Sequence, residues 1–388
     1  MNQFDVIICG GGPAGSTCAL ALAGSGLKVA VIEKASYPRN KVCGDAIAAY
    51  VPKVLEAIHP KYKQALEAFT EKTEVDTCRV VAPNEKYIDI ASAESGYIIP
   101  RLQLDNFLYQ LAASENNISW FLDHEIINVS IDPELQETTI TTPLAVFKSK
   151  VLIGCDGAHS ITSKKLTGTQ PDLNHYSGAV RAYYKNVSSI PDKTYELHFL
   201  KNVLPGYFWI FPLKNNMANV GLCIPSYAVS KRKINLRQTM EDIIKNDPSI
   251  RSRFEKAELT GKIEGYGLPL GSRKIPVSGD HFMLCGDAAS LIDPATGEGI
   301  GQSMISGRYA GWQAIKCFKA NDFSAAFMKQ YDKQLYDKLW STSRKSYLIQ
   351  RYIFNKRWLF NGLSSVLDKS KFIKKLVLRR IMKVADGK

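Results

Sequence analysis

The chain has 388 residues, 45% hydrophobic and 22% charged, too long for one small core and too apolar to be disordered. Its formal charge of +13 is uneven: residues 344–388 hold thirteen Lys/Arg against two Asp, net +11. That distribution excludes a uniformly basic nucleic-acid binder.

The eight cysteines are scattered singly, with no pair at metal-ligand or redox spacing, so no metal site is expected. The sequence opens on a predicted strand, so no secretory leader is expected, and no apolar run reaches membrane-span length. A reduced, cytoplasmic setting is the expectation.

In chain order, the apolar run Val6 to Cys9 leads into Gly10, Gly12 and Gly15. A helix is predicted from Pro13 and Ala14 to about Gly24, then a strand from Val29 to Ile32 ending on Glu33. This is the strand–turn–helix–strand of a dinucleotide-binding unit. Gly10 permits the tight turn, Gly12 the close approach of a pyrophosphate, and Gly15 the packing of helix on strand. Free N–H groups at the helix start then meet phosphate, and Glu33 accepts from ribose hydroxyls.

The polar loop from Lys34 to Gly44 follows, with Arg39, Lys41 and Cys43 placed near the nucleotide. Residues 46–72 read as helical and residues 75–98 as strand-like. A helix is predicted from Arg101, with Leu104, Phe107, Leu108 and Leu111 at helical spacing. A cation at a helix start is unfavourable, which points to a ligand phosphate or carboxylate beside Arg101.

Residues 118–155 read as short strands with a turn at Asp132-Pro133, ending in a third apolar strand that runs into Asp156-Gly157. Residues 175–225 are rich in β-branched and aromatic residues, with Asn215-Asn216 as a hairpin turn. Residues 235–257 read as helical. Another buried strand runs into Gly286-Asp287, and Gly297, Gly299 and Ile300 open a helix. The rest is helical. Three acid-bearing turns, at Glu33, Asp156 and Asp287, thus follow three apolar strands and should gather at one sheet edge.

The expected fold class is α/β: a discontinuous Rossmann-type dinucleotide domain (1–74, 99–165 and 280–320), an inserted mostly antiparallel β-sheet domain (75–98 and 166–279), and a basic helical C-terminal region (321–388). On strand 207–212, Tyr207, Trp209 and Phe211 share one face and Phe208 and Ile210 the other.

The three motif turns, in this order, resemble those of the para-hydroxybenzoate-hydroxylase-like FAD enzymes over about residues 1–315. The resemblance implies FAD. Gly10 to Gly15 would hold the pyrophosphate, Glu33 the adenosine ribose, Asp287 the ribityl chain, and the helix start at Gly297–Gly301 would face the isoalloxazine. Arg39, Arg101, Lys34, Asp156, Gly286, Cys43 and Gly44 are further cofactor candidates. The family usually has an Arg seven residues after the second Asp; here Ser163 stands there, followed by Lys164 and Lys165.

Within that superfamily, Tyr207-Phe208-Trp209-Ile210-Phe211-Pro212, residues 41–44 and residues 293–300 resemble the geranylgeranyl reductase family. The resemblance implies reduction of carbon–carbon double bonds in an isoprenoid lipid, with Tyr207, Trp209 and Phe211 on the substrate side. Cys43 is the catalytic candidate, as proton donor or flavin-tuning thiolate. A flavin-dependent monooxygenase or halogenase acting on an aromatic or polyketide-like substrate is the alternative, and a non-catalytic FAD-binding protein a third reading. Halogenases show Trp-x-Trp-x-Ile-Pro where Tyr207 and Phe211 stand here. The electron donor is left open between NAD(P)H and reduced ferredoxin or flavin.

Residues 366–384 place Phe372, Ile373, Leu376, Val377, Ile381 and Val384 on one helical face, with Lys371, Lys374, Lys375, Arg379 and Lys383 mostly around the other. Such a basic amphipathic helix suits an anionic membrane surface, with Trp340, Trp358 and the run Tyr352–Phe360 as further anchors. The expected location is cytoplasmic and peripheral on the inner membrane face.

Overall fold

A computed structural model describes residues 2–369 of the chain. The amphipathic helix expected over 366–384 lies, from residue 370 onward, outside the described residues.

One sheet has six strands in the order Ser278–Gly279, Phe282–Leu284, Val151–Gly154, Val6–Cys9, Val29–Ile32 and Ile118–Phe121. All neighbours are parallel except the first pair. The runs Val6–Cys9, Val29–Ile32 and Val151–Gly154 are buried at every position, as a parallel sheet covered on both faces requires. Cys9 pairs in register with Ile32 and Gly154, and Gly154 with Leu284. The turns at Gly10, Glu33, Asp156 and Gly286 therefore leave one edge of the sheet side by side.

Helices Pro13–Leu22 and Ile300–Ala320 cross over this sheet in close contact. Small residues allow the crossing: a Cβ on Gly311 would lie 2.8 Å from that of Ala21, and one on Gly307 would overlap the Ala14 carbonyl.

The second sheet has eight strands: Glu258–Pro269, Tyr176–Lys185, Met217–Pro225, Tyr207–Pro212, Thr194–His198, Thr73–Val81, Tyr87–Ile98 and Ala46–Ile47. Only the contact between Thr194–His198 and Thr73–Val81 is parallel. One face packs against helices through Met240 and Ile243; the other carries Tyr207, Trp209 and Phe211. A four-stranded sheet completes the β-structure, its Asp132 carboxylate accepting from the N–H groups of Glu134 and Leu135 at 2.9 Å to close the expected turn.

Two local expectations need correcting. Residues 46 and 47 pair with Tyr97 and Ile98 instead of opening a helix, and helices follow at Val51–Glu56 and Pro60–Ala68. Strand Glu258–Pro269 was not foreseen: its three glycines, 261, 265 and 267, dilute the strand signal.

After Ala325–Leu348, a π-helical turn (Ile349–Phe354) and helix Arg357–Lys369 return to the eight-stranded sheet. Among the described residues no helix is long and apolar enough to cross a membrane.

Candidate active site

The turn at Gly10–Gly15 is built for backbone contact. A Cβ on Gly15 would overlap the Gly10 carbonyl, so only glycine lets the helix follow the strand this closely. Gly12 precedes the helix in extended conformation, its end uncapped by any side chain and without an acid in the first turn. The Nη2 atoms of Arg39 and Arg101 lie 3.6 and 3.8 Å from where a Gly12 Cβ would stand.

Those two arginines belong to one ionic chain. Arg101 donates to Asp105 through Nε at 2.6 Å and Nη2 at 2.7 Å. Arg39 reaches Asp105 at 3.0 Å and Glu33 at 3.4 Å. Glu33 also accepts from the Gly11 N–H at 2.8 Å, tying the second strand to the turn. Arg101 is buried; burial opposes its charge, but Asp105 outweighs this and holds the guanidinium above its usual range. Where a ligand's anion was expected beside Arg101, the fold supplies an internal one, one helical turn along. The buried Arg39 Nε has no hydrogen-bond partner. An uncapped helix start under two guanidinium groups, one with an unused donor, fits a pyrophosphate.

The other predicted cofactor residues are distributed as follows. Pro13 and Ala14 form the buried start of the helix, and Lys34 is exposed beyond the strand. The Asp156 carboxylate accepts from Ser160 Oγ at 2.5 Å and from Thr162 N and Oγ1 at 2.9 Å each. Its oxygens are engaged by the helix it starts, Ile161–Thr167. Ser163 is buried in that helix, whereas Lys164 and Lys165 are exposed. Asp287 pairs with Lys41 at 3.1 Å, and Lys41 also lies over the Tyr266 ring at 5.2 Å. Gly286 donates its N–H to Ser306 at 2.9 Å. A Cβ on Gly299 would stand 3.7 Å from an Asp287 oxygen, so the third acidic turn meets the start of helix Ile300–Ala320.

Before that helix, Asp293 accepts from Ala295 N, Thr296 N and Thr296 Oγ1 at 2.9–3.0 Å, shaping the loop. Glu298 accepts from Gly301 N at 2.8 Å and from the Tyr50 hydroxyl at 3.0 Å. Burial pushes the Glu298 carboxyl up to about 7.

The aromatic strand lies against these loops. The Tyr207 hydroxyl donates to the Thr296 carbonyl. A Cβ on Gly44 would touch the Phe211 ring at 3.3 Å and Trp209 at 3.8 Å. The loop carrying Cys43 therefore crosses directly over the ring face. Burial pushes the Cys43 thiol up, while the Arg101 guanidinium beside it pulls the other way.

A polar network under this loop was missed in the sequence. Asp45, wholly buried and at φ +67°, accepts from Tyr183 Oη and Asn219 Nδ2 at 2.7 Å each and from Arg101 N at 3.2 Å. Asn219 also donates to the Cys43 carbonyl at 2.8 Å and accepts from Trp209 Nε1 at 2.9 Å. Burial pushes the Asp45 carboxyl up to about 6, against its hydrogen bonds and nearby arginines. Signals were present: Arg181 is the sole charge within AVRAYY, and Asn219 an amide inside MANVGLCIP. Arg181 pairs with Glu264 at 3.1 Å.

The profile of a family described as FAD binding domain matches residues 3–340. The chain is similar to digeranylgeranylglycerophospholipid reductase of Thermoplasma acidophilum, 29% identical over 344 residues, covering 86% of this chain and 83% of the relative. It is also similar to menaquinone reductase of Mycobacterium tuberculosis, 29% identical over 326 residues, covering 80% and 76%. Among solved structures, a geranylgeranyl bacteriochlorophyll reductase-like protein of Thermoplasma acidophilum superposes with a TM-score of 0.82 at 25% identity, covering 95% of this chain and 91% of that one. The halogenase PltM with phloroglucinol and FAD has a TM-score of 0.78 at 17% identity, covering 99% and 84%, and shows the shared fold alone. The profile match over most of its length makes this chain a member of the FAD binding domain family and an FAD-dependent oxidoreductase, similar to the geranylgeranyl reductase-like proteins named above.

Proposed function

We propose that this protein reduces carbon–carbon double bonds in the polyprenyl chain of a lipid. The observation that carries the reading is one meeting point. The ring face of Tyr207, Trp209 and Phe211 is joined there by the Cys43-Gly44 loop and by the loop opening helix Ile300–Ala320. The relatives named above support the substrate class: a digeranylgeranyl glycerophospholipid and a menaquinone both carry polyprenyl chains.

The residues divide the work. The turn at Gly10–Gly15, with Arg39 and Arg101, would hold the pyrophosphate of FAD, Glu33 the ribose and Asp287 the ribityl chain. Bound and reduced, FAD supplies a hydride. The aromatic face holds the alkene and keeps water away. Cys43, kept a thiol by burial, gives its proton to the second alkene carbon. The π bond breaks, two C–H bonds form, and the thiolate left beside Arg101 takes a proton back from water. Asp45 and Asn219 position Cys43 through its loop.

The test is single-turnover reoxidation of photoreduced enzyme by a geranylgeranyl lipid without oxygen, in the native protein and in Cys43→Ala. The expected result is native reoxidation and at least a tenfold slower variant with unchanged FAD content. Equal rates would remove Cys43 from the reaction. No native reoxidation by any prenyl lipid would overturn the reduction reading.

A further inference from the structure

We propose that the outer face of residues 348–358 docks this protein on an anionic lipid bilayer. Among the described residues, twelve large apolar side chains are exposed, and four of them, Leu348, Ile349, Tyr352 and Trp358, fall within these eleven positions. Of these four, Trp358 and Tyr352 are the most exposed, at 73% and 59%. Scattered exposed apolar residues are normal, but a cluster built around Trp and Tyr is the composition of a membrane-interface anchor.

The charge around the cluster selects the partner. Residues 338–367 contain six Lys/Arg and no Asp or Glu. Arg344, Lys345, Lys356 and Arg357 are exposed and lie within four residues of these apolar side chains in sequence. Residues 370–388 add seven Lys/Arg and one Asp to the chain. A second copy of this chain would set like charge against like, whereas an anionic headgroup layer complements it. A positive rim around aromatic anchors is the two-signal arrangement that interfacial binding needs.

The inner face of the same segment is committed to the proposed substrate site. Phe354 and Phe360 pack on Phe199 with ring centroids 4.5 and 4.9 Å away, and Phe199 lies 5.8 Å from Tyr207. Gln350 donates to the Pro294 carbonyl in the loop before helix Ile300–Ala320. The aromatic run from Tyr352 to Phe360, expected as a whole to anchor, is thus split between Tyr352 and Trp358 outside and Phe354 and Phe360 inside. Trp340 does not join the anchors: it is half-buried beneath Lys274, 5.3 Å from the ring. Docking at 348–358 would hold the bilayer one side-chain layer from the aromatic face, which suits a polyprenyl substrate; in that respect the inference rests on the function proposed above.

The experiment is co-sedimentation of full-length FAD-loaded protein with phosphatidylcholine vesicles, with and without phosphatidylglycerol. It compares native protein, the double variant Tyr352→Ser/Trp358→Ser, and Lys356→Glu/Arg357→Glu. The expected result is salt-sensitive binding to anionic vesicles, weakened tenfold or more in both variants. Reduction of a detergent-dispersed prenyl lipid should be unchanged, because none of these side chains faces the site. Equal sedimentation of native and variant proteins would overturn the proposal. So would a concentration-dependent dimer, lost in the aromatic variant, without vesicle binding. Vesicle binding in a protein inactive on dispersed lipid would leave docking standing and defeat the proposed reaction instead.

Discussion

The two faces of strand Tyr207–Pro212 are both buried, yet they are built differently. Phe208 and Ile210 are fully buried among Val220, Leu222, Met240 and other apolar side chains, with the buried Glu196 and His198 beside them on the neighbouring strand. Tyr207, Trp209 and Phe211 retain 5–7% exposure and are backed by glycines and hydrogen bonds. A Cβ on Gly221 would run into the Trp209 ring from the opposite strand, and one on Gly297 would stand 2.8 Å from the Tyr207 hydroxyl. Each polar ring atom on this face is bonded: Tyr207 Oη to Thr296 and Trp209 Nε1 to Asn219. Burial alone therefore does not separate a core face from a site face. What marks the proposed site face is the missing Cβ atoms of Gly221 and Gly297, which let the rings lie closely against the backbone, and the hydrogen bonds that fix them there.

The largest expected effect falls on the core face. Phe208→Ala should lower stability by about 3–5 kcal/mol, read from denaturant unfolding, with turnover per folded molecule retained. Gly221→Ala should cost about 1–3 kcal/mol by pushing the Trp209 ring, and should slow lipid reduction much more than it lowers FAD content. If instead it merely destabilised, with turnover per folded molecule intact, the contrast between the faces would be lost. Trp209→Phe should cost about 1 kcal/mol by removing the bond to Asn219, and raise KM for the lipid more than it lowers kcat.

The mildest change is Glu298→Gln, which keeps the shape and the contacts to Tyr50 and Gly301. The Glu298 carboxyl titrates near its ordinary 4.5 when unfolded and at about 7 when folded. The native state therefore holds that proton more tightly, and this group's contribution to stability falls as pH rises from about 4.5 to about 7, then levels off. The native-minus-variant difference in Tm should show that slope; a flat difference would mean the carboxyl ionises normally in the fold.

The sequence made some of this readable and hid the rest for physical reasons. The turn at Gly10–Gly15 was legible because strand, turn and helix all lie within one short stretch. Asn215-Asn216 was legible because a tight hairpin needs positive φ at both positions, and they adopt +57° and +56°. The separation of Phe208 from Trp209 follows from strand alternation. The Asp45 network was hidden because its partners Tyr183 and Asn219 lie 138 and 174 residues away. The second acidic turn was recognised as a motif, but its carboxylate is engaged by Ser160 and Thr162, which only the folded geometry reveals. Arg101 was read as facing a ligand's anion; that Asp105 supplies an internal one could have been seen from the i, i+4 spacing.

The most direct test of the central claim is mass spectrometry of a digeranylgeranyl lipid incubated with the reduced, FAD-loaded protein in the absence of oxygen. The account predicts products heavier by two hydrogens for each double bond reduced. An unchanged lipid, together with an oxygenated or halogenated aromatic product once oxygen and halide are admitted, would contradict it.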